Sequence, residues 1–196
     1  SGQTYGTTYS AFARGVLVWL AREVPFAVSS HSIDGDGSYV MVEGLLDGSP
    51  LALLMIYAPN SHLSHFLERI SLALLQDQNI PILWGGDFNS VPEIDLDFSH
   101  TPLPGAVSIG ASLSLRTWFT HTRTNVIWRL QHPCASKYSH YSSIHRLHTR
   151  IDLFACDASL VPRVLETEYK AATHLDHSPL YLRLNWGRPR TIIRTW

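Results

Sequence analysis

The stretch Ile82-Leu83-Trp84-Gly85-Gly86-Asp87-Phe88-Asn89 decides how the rest of the chain is read. An apolar run ends in two glycines, and a carboxylate and a carboxamide follow at alternate positions. Side chains alternate faces along extended backbone, so Asp87 and Asn89 are expected on one face and Phe88 in the core. The glycines admit the close approach of another backbone or of a ligand. An Asp and an Asn at a strand's end suit two jobs: holding a water or hard cation, and donating to a phosphate oxygen. The same residue types also build ordinary turns, so the decision rests on the remaining sequence.

Outward from that stretch the chain alternates short strands with a few helices. Residues 1–10 are polar and rich in Gly, Thr and Ser, which predicts a loop. Gly15-Val16-Leu17-Val18-Trp19-Leu20 is an apolar run of the buried-strand kind, and Phe26-Ala27-Val28 predicts another strand. Asp34-Gly35-Asp36-Gly37 is similar to the start of an EF-hand loop. Tyr39 and Leu45 stand where that loop needs its turn glycine and final glutamate, so a hairpin turn is expected instead. Residues 39–44 and 51–57 predict two strands joined by the Asp47-Gly48-Ser49-Pro50 turn. Ser61 is placed to cap a helix running to about Gln76, with Phe66, Leu67, Ile70 and Leu74 on its core face.

A strand over 80–84 leads into the opening stretch. Residues 91–110 hold three prolines and two glycines and predict a long loop, in which Glu93, Asp95 and Asp97 are expected to be solvated. A second helix is predicted over 113–128 and strands over 138–142 and 150–154. A short helix over 158–164 and strands over 167–171 and 180–184 complete the pattern. Strands outnumber helices and often follow one another, which predicts sheets packed together with helices outside.

At 196 residues the chain suffices for one domain with a sizeable core. A hydrophobic content of 45% with 16% charged residues excludes a disordered chain. Fifteen basic against sixteen acidic residues leave no overall basic field, so contact with nucleic acid would need a local patch. Eleven histidines are many for this length, and seven fall from His121 to His177, so this half becomes cationic below neutral pH. Cys134 and Cys156 are too few for a disulfide framework and match no zinc spacing; two buried thiols in a reducing compartment are expected. No apolar run spans a membrane and no signal peptide is recognisable, which leads to an expected nuclear or cytoplasmic location and no secretion.

Four segments carry chemistry: Tyr57-Ala58-Pro59-Asn60, Gly86-Asp87-Phe88-Asn89, Arg150-Ile151-Asp152 and Asp176-His177-Ser178-Pro179. Each lies at or near the end of a predicted strand, where loops gather into a site. Together they supply a tyrosine, three carboxylates, an amide and a histidine, the parts for metal-assisted hydrolysis of a phosphate ester. Their order and content resemble the endonuclease/exonuclease/phosphatase superfamily, with the DNase I-like fold. Within it the sequence is most similar to the endonuclease domain of LINE-type (non-LTR) retrotransposons. The cues are Ala13-Arg14-Gly15-Val16, Ile56-Tyr57-Ala58-Pro59-Asn60, and the block from Trp128-Arg129-Leu130-Gln131-His132-Pro133 through Tyr138-Ser139 to Arg150-Ile151-Asp152. The resemblance extends over residues 11–186, with 187–196 expected as a basic tail or the start of a linker.

The resemblance implies an α/β protein, a four-layer α-β-β-α sandwich of two mixed sheets. It implies that Asp87 orients or activates the attacking water and that Asn89 holds that water or the scissile phosphate. Tyr57 would bond the phosphate region, and His177, oriented by Asp152, would stabilise charge on a phosphate oxygen. Asp176 would help place the metal, Mg²⁺ with Mn²⁺ as the alternative. His145 and His148 are candidates to line a groove for duplex DNA. A reverse transcriptase domain is the expected downstream partner, and no membrane is implied.

The family's site also uses an Asn on its first strand and a Glu after the next, both upstream of the segment that Gly15-Val16 matches. Glu23 and Glu43 lie in segments matching other strands, and Leu175 replaces the Ser usual before Asp176. The chain is therefore expected to be N-terminally truncated, lacking the first strands and helix, with an exposed sheet edge. Two alternatives stand beside a DNA-nicking endonuclease: a remnant that at most binds nucleic acid, and a phosphoesterase for a small phosphoester. Taken singly, Tyr57 also reads as a core aromatic at a strand end, and Asp152 as a structural partner of Arg150.

Overall fold

The computed structural model describes residues 2–8, 15–74, 80–101, 109–171 and 176–187. Ala13 and Arg14, Gln76, Leu175 and the tail from residue 188 on lie outside the described residues. The chain opens with β1 (Gly2–Thr8), paired antiparallel with β2 (Gly15–Ala21). This corrects the loop expected over residues 1–10. Thr4, Tyr5, Thr7 and Thr8 are β-branched or aromatic and pair in register with Trp19, Val18, Val16 and Gly15. In β2 only Val18 is buried, whereas Leu17 and Trp19 are 63% and 60% exposed. The apolar run expected to be wholly buried thus has one buried and one solvated face.

β3 (Phe26–Ile33), β4 (Tyr39–Leu46) and β5 (Ser49–Tyr57) form an antiparallel meander. At the first turn Asp34 N–H donates to the Tyr39 carbonyl at 3.1 Å and Gly37 takes φ 69°, the expected hairpin. The carboxylates of Asp34 and Asp36 bond Arg69, at 3.2 and 2.8 Å. The second turn is narrower than predicted. Asp47 and Gly48 alone take positive φ, 48° and 76°, as a two-residue primed turn requires, and Ser49 and Pro50 already belong to β5.

α1 (Leu63–Leu74) buries Leu63, Phe66, Leu67 and Ile70, one stripe at helical spacing, with Leu74 partly buried. It starts two residues after Ser61, because His62 turns the chain with φ 58°. β6 (Ile82–Asp87) runs parallel to β5. The predicted long loop contains a short helix, α2 (Ile94–Asp97). The single helix predicted over 113–128 is three elements: α3 (Ile109–His121), β7 (Thr124–Val126) and α4 (Ile127–Gln131). The break is local. Thr122 Oγ1 donates to the Trp118 carbonyl at 2.8 Å, and Arg123 turns the backbone with φ 54° before Thr124 enters the sheet.

β8 (His140–Ser142) and β9 (Leu147–Thr149) form a hairpin, followed by β10 (Asp152–Asp157), a 3₁₀ turn (Ala158–Arg163), β11 (Val164–Tyr169) and β12 (Leu180–Leu184). The main sheet has six strands in the order β3-β4-β5-β6-β10-β7, mixed because β5 and β6 are parallel. α1 and α3 cover one face with Phe66, Ile70, Leu115, Trp118 and Phe119 against Leu54, Ile56, Trp84 and Leu153. The other face meets two antiparallel ribbons: β1-β2 through Val18 on Val40 and Val42, and β11-β12 with the 3₁₀ turn around Leu51, Leu83, Cys156 and Leu160. Among the described residues these ribbons stand where a second sheet was expected.

Cys156 is buried but Cys134 is exposed, so the expected burial of both thiols holds for one. Trp186 docks on the domain, its Nε1–H donating to the Leu46 carbonyl at 2.6 Å. No described helix is long and apolar enough to cross a membrane.

Candidate functional site

Strand direction gathers the site. β5 and β6 are parallel, so their carboxyl ends, Tyr57 and Asp87, lie side by side. β10 runs the other way between β6 and β7, so its first residue, Asp152, arrives at the same edge, directly opposite Asp87. The two glycines permit this closeness. Gly86 takes φ 127°, and a Cβ there would sit 2.0 Å from the Ile56 carbonyl oxygen. At Gly85 a Cβ would meet the Phe154 ring at 2.7 Å and Met55 Sδ at 2.9 Å. Phe88 is fully buried, as its place in the alternation predicts.

Two carboxylates opposite each other across a strand pair repel, so this arrangement needs compensation. His177 supplies part of it: its Nδ1 lies 2.8 Å from Asp152 Oδ2. Asp87, Asp152 and His177 each offer a ligand-type atom within 4.8 Å of the others. Asp87 is 8% exposed. Burial, with the Asp152 charge, raises its carboxyl to about 6, against the opposing pull of the Asn89 N–H bond and of His177. The hydrogen bond to Asp152 raises His177 above the usual imidazole value, outweighing its partial burial. The result is a carboxylate of unusual basicity next to an imidazole that favours its charged form.

Backbone pairing holds His177 in place. His140 and His177 form an antiparallel bridge, Tyr141 N–H donates to the Asp176 carbonyl at 3.1 Å, and Ser178 N–H donates to the Ser139 carbonyl at 2.6 Å. Asp152 is fixed likewise: its N–H donates to Ser139 Oγ at 3.0 Å, and its carbonyl accepts from the Tyr169 hydroxyl at 2.7 Å.

The other predicted residues fall as follows. Tyr57 stands half-buried in register beside Asp87. Asn89 is not on an extended segment as the alternation argument requires: β6 ends at Asp87 and Asn89 is left-handed, φ 46°, a conformation asparagine tolerates. Its N–H donates to Asp87 Oδ1 at 2.8 Å and its Nδ2 to the Ala58 carbonyl at 2.6 Å, so it braces the ends of β5 and β6 together. Asp176 is exposed and clusters with His140 and His177, while the other acidic cluster joins His177 to Asp87 and Asp152. His145 and His148 are exposed on the β8–β9 hairpin, with the His148 ring 4.6 Å from that of Tyr141.

Sequence reasoning misplaced one support. Asp97, expected in solvent, is fully buried, and its Oδ1 accepts from Arg150 Nε at 2.9 Å, from Arg150 Nη2, and from Arg129 Nη2 at 2.7 Å. Arg150 is itself fully buried. It therefore pairs with Asp97 and leaves Asp152 to His177. The Arg150-Ile151-Asp152 segment contained the clue, because an arginine next to a site residue on a mostly apolar strand needs a buried partner.

No protein-family model matches the sequence. The fold matches solved structures. An AP endonuclease from Leishmania major superposes with a TM-score of 0.71 at 15% identity, over 91% of this chain and 69% of that one. An AP endonuclease from Archaeoglobus fulgidus gives 0.70 at 19% identity, over 94% and 80%. A Neisseria 3′ phosphatase bound to a product DNA hairpin gives 0.67 at 14% identity, over 93% and 80%. At such identities the likeness shows the fold, the mixed α/β fold of DNase I-like AP endonucleases.

Proposed function

We propose that the chain is a DNA-nicking phosphodiesterase, the endonuclease of a LINE-type retrotransposon. The observation that carries the reading is the cross-strand pair Asp87 and Asp152 with His177 closing the triangle. The fold, shared with DNA-acting enzymes, and the Ile56-to-Asn60 and Arg150-to-Asp152 motifs support it.

The donor set fits a hard divalent cation. Mg²⁺ is held by one or two carboxylates plus waters and substrate phosphate; Asp152 would hold it directly and Asp87, within reach, would hold it through a water, with Asp176 standing next to His177. When bound, Mg²⁺ (or Mn²⁺) polarises the phosphoryl oxygen and offsets its growing charge. The protein's own steps follow from the side chains. Asp87, ionised at neutral pH yet more basic than an ordinary aspartate, accepts the proton of the attacking water. His177, held by Asp152, presents its remaining N–H to a non-bridging phosphate oxygen. Tyr57 bonds the phosphate region from the neighbouring strand. Asn89 fixes the Asp87 carboxylate through its backbone N–H, with its side-chain oxygen left for the water or phosphate. His145 and His148 lie on the hairpin next to this edge, where duplex DNA would run.

In such an element a reverse transcriptase domain follows the endonuclease, and the target is duplex DNA in a nuclear or cytoplasmic setting. The described layers then represent three of the four of an α-β-β-α sandwich. A second reading, a phosphomonoesterase, draws on the Neisseria 3′ phosphatase of the same fold. A substrate panel separates the two. The proposal expects Mg²⁺-dependent nicking of supercoiled plasmid without phosphate release from 3′-phosphorylated DNA or inositol phosphates. Phosphate release without nicking overturns it in favour of the second reading, and DNA binding without either activity leaves a nucleic-acid-binding remnant.

A further inference from the structure

One cluster overlaps the site and brings in His140, which has no part in the chemistry above. His140, on β8, is the bridge partner of His177, and bridge partners project side chains to the same side of the strand pair. The two imidazole rings lie 4.6 Å apart between centroids, tilted by 44°. A ring nitrogen of each and a carboxylate oxygen of Asp176 lie within 4.8 Å of one another. Two nitrogens and one oxygen make a poor set for Mg²⁺, which takes oxygen donors, and a good one for a borderline transition metal.

The surroundings of the two rings match those of metal-bound histidines. Such a histidine keeps one nitrogen for the metal while the other bonds a carboxylate, backbone carbonyl or water that sets the ring's tautomer and orientation. His177 Nδ1 is bonded to Asp152 Oδ2 at 2.8 Å, and His140 Nδ1 lies 3.2 Å from Thr149 Oγ1. Each ring is left with Nε2 free of those partners. The backbone is equally committed: the bonds from Tyr141 to Asp176 and from Ser178 to Ser139 tie the two ligand-bearing segments together on both sides of the bridge. Tetrahedral zinc, with bonds of about 2.0–2.1 Å, places its ligand atoms about 3.4 Å apart. The three ligand atoms, within 4.8 Å of one another, therefore have to draw together by up to about 1.4 Å, and the exposed Asp176 carboxylate is the least constrained of them.

We propose that His140, Asp176 and His177 form a transition-metal site, with Zn²⁺ as the fitting ion, whose occupation takes His177 away from the phosphate and so switches the phosphodiesterase off. The binding site stands on geometry alone, and the inhibitory consequence rests on the proposed function. Zinc bound there and a substrate phosphate compete for the same imidazole nitrogen.

The test uses metal-stripped chain in a Cys134→Ser background, which removes the exposed thiol as a rival ligand. Zn²⁺ is titrated against a chromogenic chelator, and Co²⁺ binding is followed by its visible d–d absorption. One Zn²⁺ per chain is expected. His140→Phe, which keeps an aromatic ring in the bridge, and Asp176→Asn should each weaken binding by at least about tenfold, the lower bound even for losing an outer-shell partner. Both should lose the Co²⁺ bands. In parallel, Mg²⁺-supported plasmid nicking is measured with and without Zn²⁺, each protein against its own zinc-free rate. Zinc should suppress nicking by the parent and spare His140→Phe. No bound zinc, or equal binding by parent and both variants, overturns the site. Zinc bound as predicted with undiminished nicking overturns the switch. Absence of nicking in every zinc-free sample refutes the proposed activity and with it the switch, while the titration still decides the site.

Discussion

Asp87→Asn should stabilise the fold while removing the group proposed to take the water's proton. The carboxyl is 8% exposed, with its pKa raised from 3.8 to about 6, chiefly by burial. A folded pKa above the unfolded one means that folded chains bind more protons, so stability falls as pH rises between the two values. The loss begins near 3.8 and is complete above about 6. With 1.36 kcal/mol per unit, the wild type carries a penalty of about 3 kcal/mol at ~pH 7.5 but only about 1 kcal/mol at ~pH 4.5. Asparagine is isosteric, keeps an oxygen acceptor for the Asn89 N–H at 2.8 Å, and removes the repulsion with Asp152. Urea unfolding in EDTA at both pH values is the assay. The variant should be the more stable by about 3 kcal/mol at the higher pH, or roughly 6–12 °C in Tm for a chain of this size. That advantage should shrink by about two thirds at the lower pH. A variant less stable than wild type at ~pH 7.5, or an advantage independent of pH, refutes the reasoning.

His177 should titrate above the ordinary imidazole value in the wild type, and Asp152→Asn should lower it, since the bond to Asp152 is the largest cause of its shift; imidazole NMR reads both. Its contribution to stability is complete below the unfolded value and is lost as pH rises through the folded one, and nicking should rise as Asp87 ionises and fall as His177 loses its proton. Arg150→Ala should destabilise by about 3–5 kcal/mol, because it leaves Asp97 buried without its main partner. Arg69→Ala, which removes a partly exposed pair, should cost less than about 1 kcal/mol in the same urea assay. Gly86→Ala should yield little soluble protein, given φ 127° and a Cβ 2.0 Å from the Ile56 oxygen, whereas Gly35→Ala, with open space around it, should express normally.

The parts legible in the sequence are those whose cause is local. An apolar run ending in glycines marks β6, and a 3.6-residue stripe marks α1, because period and burial coincide there. Asp87 and Asp152 are legible as candidates because one closes and the other opens a strand, and His177 because it lies in the short polar turn just before the last strand. What was hidden depends on distant or special backbone geometry. β1 is polar and acquires its strand form from pairing with β2. The chain leaves α3 at Arg123 through one positive φ that no periodicity announces. Asp97 looks like a loop carboxylate until Arg150, 53 residues away, is brought onto it. Asn89 fails the alternation rule for the same reason as Arg123, a left-handed backbone. The proximity of His140 to His177 follows from a single bridge between segments 37 residues apart.

The central claim is that Asp87, Asp152 and His177 act together on a phosphodiester with a hard cation. Nicking of supercoiled plasmid by the wild type, by Asp87→Asn and by His177→Ala, in Mg²⁺ and in EDTA, addresses it most directly. The account predicts nicking by the wild type in Mg²⁺ alone, with each substitution lowering the rate by at least about a hundredfold, the size expected for a general base or a charge-stabilising group. Nicking that persists in EDTA or survives either substitution contradicts it, as does a folded wild type that leaves the plasmid intact.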